Sequence, residues 1–362
     1  MVPSAICGVV RNFKMPQVWK TSLAVDYVIP ASFPLSVSAE GIVKKTINDV
    51  TITDWAIPSV GGFSRFNGAD NRPIYPDDFR TNAKAFMLEN TSKGYGYSLS
   101  FSVNASPVEG LDLMAAYTRT ASKELTGMPG SAAESAFTYV PTKEGPNHIR
   151  LHNSQYVTPD RFVASLNYSD KSNNHYSFIY EAWKGGYNYS YMLTNDMNGD
   201  GYKYDALYIP TDAQVVNGDF RFASEDDAER FMSYVHKDVY LSKHQGEYAE
   251  PYSLYSPWVN RLDFSYKHDF KVRIAGSVNT LQISFDVKNV LNLFNSKWGV
   301  SKILNPVIGQ EARILNYDGV DADGYAVFST PKSVSGSTPT FIPATTIGQL
   351  WYASIGIKYM FN

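Results

Sequence analysis

Oxygen-bearing side chains are spaced for cation chemistry in the run Asp196-Met-Asn198-Gly-Asp200-Gly201, with Asp205 following shortly after. Counted from Asp196 as position 1, the ligand candidates Asp196, Asn198, Asp200 and Asp205 fall at positions 1, 3, 5 and 10, and Gly201 takes position 6, where a calcium loop turns sharply. Position 12 is Leu207 rather than the bidentate glutamate of an EF-hand, which leaves two readings open. One is a shorter acidic calcium loop, and the other an Asn/Asp/Gly turn in a solvated loop. Just upstream, Tyr187, Tyr189 and Tyr191 alternate along what reads as the outer end of a strand, with Trp183 close by in sequence. Stacked rings of this kind can hold a sugar or a peptide, or can rest as a girdle at a membrane surface. His236 and His244 flank a helical segment opened by Ser224, with Asp227 at the capping-box position, and their spacing matches no metal motif. The chain has no Gly-rich phosphate loop, nucleophile elbow or Cys/His pair with metal spacing. It is therefore read as a non-enzyme that requires no cofactor, calcium being the one candidate.

The elements that must carry these residues are strands. From Gln349 to Asn362 the sequence QLWYASIGIKYMFN puts Trp351, Ala353, Ile355, Ile357, Tyr359 and Phe361 on one face, since successive side chains of a strand point to opposite sides. The other face, Leu350, Tyr352, Ser354, Gly356, Lys358 and Met360, is mixed and suits a wet interior. The same period of two recurs at Tyr95–Val103, at Leu111–Tyr117, and in segments near Trp19–Tyr27, Leu35–Val43, Phe162–Tyr168, Tyr176–Met192, Trp258–Phe270 and Leu281–Val287. That makes about nine strands of a length that crosses a tilted bilayer path. Asp286 and Lys288, and Glu40 and Lys44, fall on the face opposite the apolar residues, as charges lining a wet lumen would.

Short links, Pro30–Pro34 and Ser106–Gly110, alternate with long polar segments at about 46–94, 124–159, 193–256 and 292–345. Short turns on one side and long loops on the other are the layout of an outer-membrane barrel, whereas a β-sandwich has no reason to place every long connection on one side. The predicted fold class is all-β, a transmembrane antiparallel β-barrel.

Composition agrees. The 362 residues include 26 Tyr, 20 Phe and 6 Trp, the supply that interface girdles or ligand-stacking surfaces draw on. A net charge of -3 with no basic run argues against nucleic acid as a partner. No apolar stretch of about 18 residues is present, so no transmembrane helix is expected. Cys7 stands alone, which excludes an internal disulfide framework. The opening MVPSAICGVVRNFK lacks a positive n-region and a sustained apolar h-region, so it is not read as a secretory signal. Either Met1 is internal to a longer product, or the chain is a soluble β-domain.

Read from Ser354, the closing segment places Gly356, Tyr359 and Phe361 in a pattern that resembles the C-terminal signal read by outer-membrane assembly machinery, displaced by the following Asn362. With WVNRLDFSYKHDF at 258–270 and LQISFDVKNVLNLFNSKWG at 281–299, it resembles the C-terminal end of TonB-dependent receptors. The stretches from Asn195 through Tyr208-Ile-Pro210, and from Tyr240 to Glu250, resemble the Oar-like branch, related to SusC-like transporters. That resemblance implies a barrel of about 22 strands, plugged by an N-terminal domain, of which this chain is expected to be the final portion without plug or signal peptide. It implies location in the outer membrane of a Gram-negative bacterium and import of a large nutrient such as a glycan, peptide or chelate. The implied partners are outer-membrane lipid, the barrel assembly machinery, the TonB complex reached through the missing N-terminal part, and a surface lipoprotein lid. The competing class is a surface-structural or adhesive barrel without transport.

Overall fold

In the computed structural model, which describes residues 5–361 apart from 78–83, 128–129, 131, 138, 275–276 and 310, the alternating segments become one continuous wall. Among the described residues nine strands follow one another as an antiparallel meander. They are β1 (Gln17–Val28), β2 (Leu35–Asp54), β3 (Tyr95–Val108), β4 (Leu111–Glu124), β5 (Asp160–Ser169), β6 (Asn174–Lys184), β7 (Val259–Ile274), β8 (Ser277–Lys288) and β9 (Tyr352–Met360). Each pairs with the next in chain order, from β1 with β2 through to β8 with β9. The wall is open between β1 and β9. No described helix is long and apolar enough to cross a membrane.

The connections are short at one end and long at the other. Residues 29–34, 109–110 and 170–173 link successive strands at one end, whereas 55–94, 125–159, 185–258 and 289–351 all emerge at the opposite end. The link expected over Ser106–Gly110 is tighter than that, because both strands run on and the turn is Glu109-Gly110 alone. Gly110 has φ +81°, and a Cβ there would stand 2.1 Å from the Ser169 carbonyl oxygen, so both the backbone and the space require glycine. Asn362 lies outside the described residues.

Register makes the two faces of the wall chemically opposite. Phe101 lies across from Ala39 and Tyr117, Phe178 across from Leu166 and Phe264, and Phe285 across from Tyr266 and Ile355. This face is exposed although apolar: Leu23 and Ile357 are each 75% accessible and Phe101 59%. One residue along, the pairs become Ser100 with Glu40 and Thr118, Ser284 with Lys267 and Gly356, and Asp286 with Ser265 and Ser354. At the short-turn end Tyr168, Tyr176 and Tyr266 share one row of the apolar face, with ring centroids 6.3 and 5.2 Å apart.

The long connections are not loose. They fold into a cap with an ordinary core, in which Tyr191, Leu207, Ile209, Phe231, Val235, Leu315 and Phe328 are buried together. A small four-stranded sheet orders it, with Arg313–Val320 between Met192–Leu193 and Ala326–Ser329, and Arg221–Phe222 on the far side of the last. The helix Glu225–Lys237 starts as expected at Ser224, whose Oγ accepts from the Asp227 amide at 3.1 Å, and buries Phe231, Tyr234 and Val235. Phe220 and Phe328 stack face to face, with centroids 4.4 Å apart. Cap and wall thus solve burial in opposite ways: the cap hides its apolar side chains, while the wall presents them outward.

Candidate functional site

The acidic loop lies inside the cap, joined to residues far away in sequence. Both Asp196 oxygens accept from backbone, from the amides of Gly199 at 2.8 Å and Gly201 at 2.9 Å, and Gly201 takes the left-handed φ of +88°. Asp200 accepts from the Tyr202 amide at 2.8 Å and from the Asn198 side chain at 3.1 Å. Asp205 accepts from the Met197 amide at 2.9 Å and from Arg72 at 2.8 Å. The four sequence-identified residues therefore share one loop, but the positive charge facing Asp205 is a guanidinium. Their geometry is that of an Asx-turn network, in which each carboxylate oxygen already has a donor. Among the described residues no set of three or more His, Cys, Asp or Glu is grouped to hold a metal.

Arg72 was not anticipated from sequence. It is completely buried and holds Asp70 bidentately, through Nε at 2.9 Å and Nη2 at 2.8 Å, while Nη1 reaches Asp205 and Nη2 also donates to the Ala206 carbonyl at 2.7 Å. Tyr248 closes the group by donating to Asp70 at 2.6 Å. Three stretches of chain, near 70, 205 and 248, are thereby fastened by one side chain. Burial alone would lower the Arg72 pKa, but Asp70 and Asp205 beside it more than reverse this, and it stays charged. Burial pushes Asp205 upward against the opposing pull of Arg72. Asp200 is driven well above the usual carboxylate range, first by burial and then by repulsion from Asp205 and Asp196. The sequence signal was faint: a lone arginine in the polar run Asn67-Gly-Ala-Asp70-Asn-Arg72-Pro73, with no hint of a partner 133 residues away.

The aromatic expectation is corrected in part. β6 ends at Lys184, where Gly185 and Gly186 take φ of +81° and +92°, so Tyr187, Tyr189 and Tyr191 do not continue the face of a wall strand. Trp183 is the last aromatic residue on β6, with the Arg261 guanidinium 5.4 Å from its ring. Tyr187 and Tyr189 do meet, with centroids 4.9 Å apart, and are joined by Tyr156 and Phe341. Tyr191 leaves this group: it is fully buried, donates to Asp238 at 2.7 Å and stacks on Tyr240. A bound ligand can reach Tyr187, which is 45% exposed, but not Tyr191.

The remaining residues singled out by sequence fall as follows. Ser354 and Gly356 face Asp286 and Ser284 on the polar side of the β8–β9 pair, and Tyr359 faces Leu281 on the apolar side, with its ring 4.6 Å from that of the exposed Phe361. Lys288 reaches Asp263 at 2.8 Å. His236 bonds Asp212 and His244 stacks on Tyr240, so the two histidines serve separate local contacts.

No family model matches the sequence, and no curated protein matches it. Among solved structures the outer membrane transporter YddB from Escherichia coli is similar over 96% of this chain at 9% sequence identity and a TM-score of 0.41, and this chain spans 33% of that protein's length.

Proposed function

We propose that this chain is a portion of the membrane-spanning wall and outer cap of an outer-membrane transporter. More narrowly, we propose a TonB-dependent receptor of the Oar-like or SusC-like kind that imports a nutrient too large for porins. The observation that carries the reading is the uncovered apolar face of β1–β9 backed by a polar one. A soluble sheet has the reverse need, since water rewards the polar face and the apolar one must be packed away. Hydrocarbon outside and water within satisfy both faces of this wall at once. The tyrosine row at the short-turn end supports the same reading, since amphipathic rings favour the interfacial zone. So does the gathering of every long connection at the other end. In this reading Ser354, Gly356, Tyr359 and Phe361 serve the assembly machinery, and the cap faces the exterior, where a lipoprotein lid would dock. TonB would act through a plug supplied elsewhere in the parent protein.

The test is a cysteine scan of β3 in a Cys7→Ser background after insertion into lipid vesicles. Positions 95, 97, 99, 101 and 103 should resist a water-soluble thiol reagent and react with a bilayer-soluble one, and positions 96, 98, 100 and 102 should do the opposite. Equal aqueous labelling of both sets, in a chain that stays dissolved without detergent, would refute the membrane reading.

A further inference from the structure

Where β6 meets the cap, a cleft of about 700 Å³ opens among Lys184, Lys237, Lys243, His244, Tyr255 and Trp258. Its two acidic neighbours are already committed. Asp238 accepts from Tyr191, Thr340 and the amides of Tyr240 and Leu241, and Glu250 is paired with Lys123. None of the three lysines forms an ion pair among the described residues; Asp160, directly across from Lys184, is paired with Arg119, and Lys237 and Lys243 are exposed, so lysines outnumber free carboxylates and the cleft carries net positive charge. Lys184 rests its ammonium 5.5 Å from the Tyr255 ring, a partly apolar seat that keeps the charge near the cleft wall.

The position of the cleft says what that charge is for. Lys184 lies on the same face of β6 as Tyr180 and Phe178, four residues beyond Tyr180, which is about 13 Å along a strand. Below it on this face, the small side chains of Ala105, Ala115 and Ala164 leave a trough of about 390 Å³, bounded by Phe178, Tyr180 and Leu262. A cationic and aromatic recess thus sits directly above an apolar furrow on one surface. That order, anion receptor above and hydrocarbon receptor below, matches a phosphorylated amphiphile and neither a free sugar nor a peptide.

We propose that the cleft and the trough together bind one phosphorylated lipid, its phosphate held by Lys184, Lys237 and Lys243 and an acyl chain lying along the alanine trough. This rests on the membrane reading above, because the trough meets acyl chains only if the apolar face does.

The experiment is native mass spectrometry of the full chain in detergent micelles, offered phosphatidic acid and phosphatidylcholine with identical acyl chains. Phosphatidic acid should be retained at least about tenfold better than phosphatidylcholine. The variant Lys184→Gln/Lys237→Gln/Lys243→Gln should lose that retention on the order of 10- to 100-fold, from roughly 1 kcal/mol per cation. Because Lys237 and Lys243 lie outside the wall, Lys237→Gln/Lys243→Gln provides a variant that leaves the strands untouched and should show part of the loss. Removing three lysines from the polar face, Lys20, Lys44 and Lys267, should change nothing. Equal retention of both lipids, or full retention by the triple variant, would overturn the site while leaving the membrane reading intact. Complete displacement by millimolar inorganic phosphate would show an anion site with no lipid role and also overturn it. A chain that binds neither lipid and remains soluble without detergent would remove the membrane reading and this proposal with it.

Discussion

Replacing Arg72 by methionine should open the cap without unfolding the wall. The side chain is fully buried, and the two carboxylates it neutralises are 3% and 2% exposed, so its removal strands two anions in a region that water barely reaches. Breaking a buried ion pair from one side costs roughly 3–5 kcal/mol. The Tyr248 hydroxyl would still donate to Asp70 and the Met197 amide to Asp205, which places the expected cost near the lower end, about 3 kcal/mol. At 1.4 kcal/mol per decade this raises the opening constant of the cap roughly 100-fold. Hydrogen exchange of the amides in 193–209, measured where opening and closing are fast, should accelerate by that factor, while amides of β3 and β4 should not change. The mechanism is checked in an Asp70→Asn/Asp205→Asn background. With the anions gone, Arg72→Met should cost less than about 1 kcal/mol. An equal cost in both backgrounds would mean that lost packing, not stranded charge, explains the effect. A cost below about 1 kcal/mol in the parent chain would refute the reasoning entirely.

Three further outcomes follow from the same structure. Burial raises the folded-state pKa of Asp200, so its contribution is most favourable at low pH and declines as pH rises above the ordinary carboxylate value. Asp200→Asn, which cannot ionise, should therefore gain on the parent between pH 5 and pH 8 in denaturant titrations, and a relative loss over that range would contradict this. If the proposed membrane placement is right, Leu99→Arg should cost about 2–4 kcal/mol in lipid vesicles and Ser100→Arg well under 1, since adjacent residues of β3 would then meet hydrocarbon and water respectively; similar costs at both positions would count against the assignment of faces. One donor on every carboxylate oxygen of Asp196, Asp200 and Asp205 accounts for the loop as a hydrogen-bonded turn; on that account EGTA and calcium should leave the melting temperature and cap proteolysis unchanged, and a calcium-dependent rise would favour the calcium-loop reading instead.

The wall was legible because its environment is uniform along each strand. Tyr95, Leu99 and Phe101 alternate with Gly96, Ser98 and Ser100 for reasons that act on each residue separately, so a period of two survives with no knowledge of partners. The same signal misled beyond Lys184. Tyr187, Tyr189 and Tyr191 keep the alternation, but Gly185 and Gly186 turn the chain into the cap, where Tyr191 meets Asp238 rather than a membrane surface. β2 was read short for the converse reason. Its last residues, Asp49–Asp54, pair with Phe86–Thr91 rather than with the next wall strand, and although Val50 and Ile52 alternate there with Thr51 and Thr53, Asn48 and Asp49 interrupt the period before them. The acidic loop was seen as a turn with ligand spacing, whereas its counter-charge was invisible, because Arg72 reaches Asp205 only through the tertiary fold.

The composition of the cap core also sets an order of events during folding. Phe66, Tyr191, Phe231 and Phe328 are drawn from three separate excursions, and the Asn67 side chain donates to the Asp323 carbonyl across 256 residues. Neither contact can form until the intervening strands have brought those excursions to the same end of the sheet. Hairpins joined by a few residues close quickly, and contacts of such long sequence separation close late. The cap is therefore the last part to set, a seal that forms only once the strands beneath it are in register, and a slipped strand would show itself first as a cap that never closes.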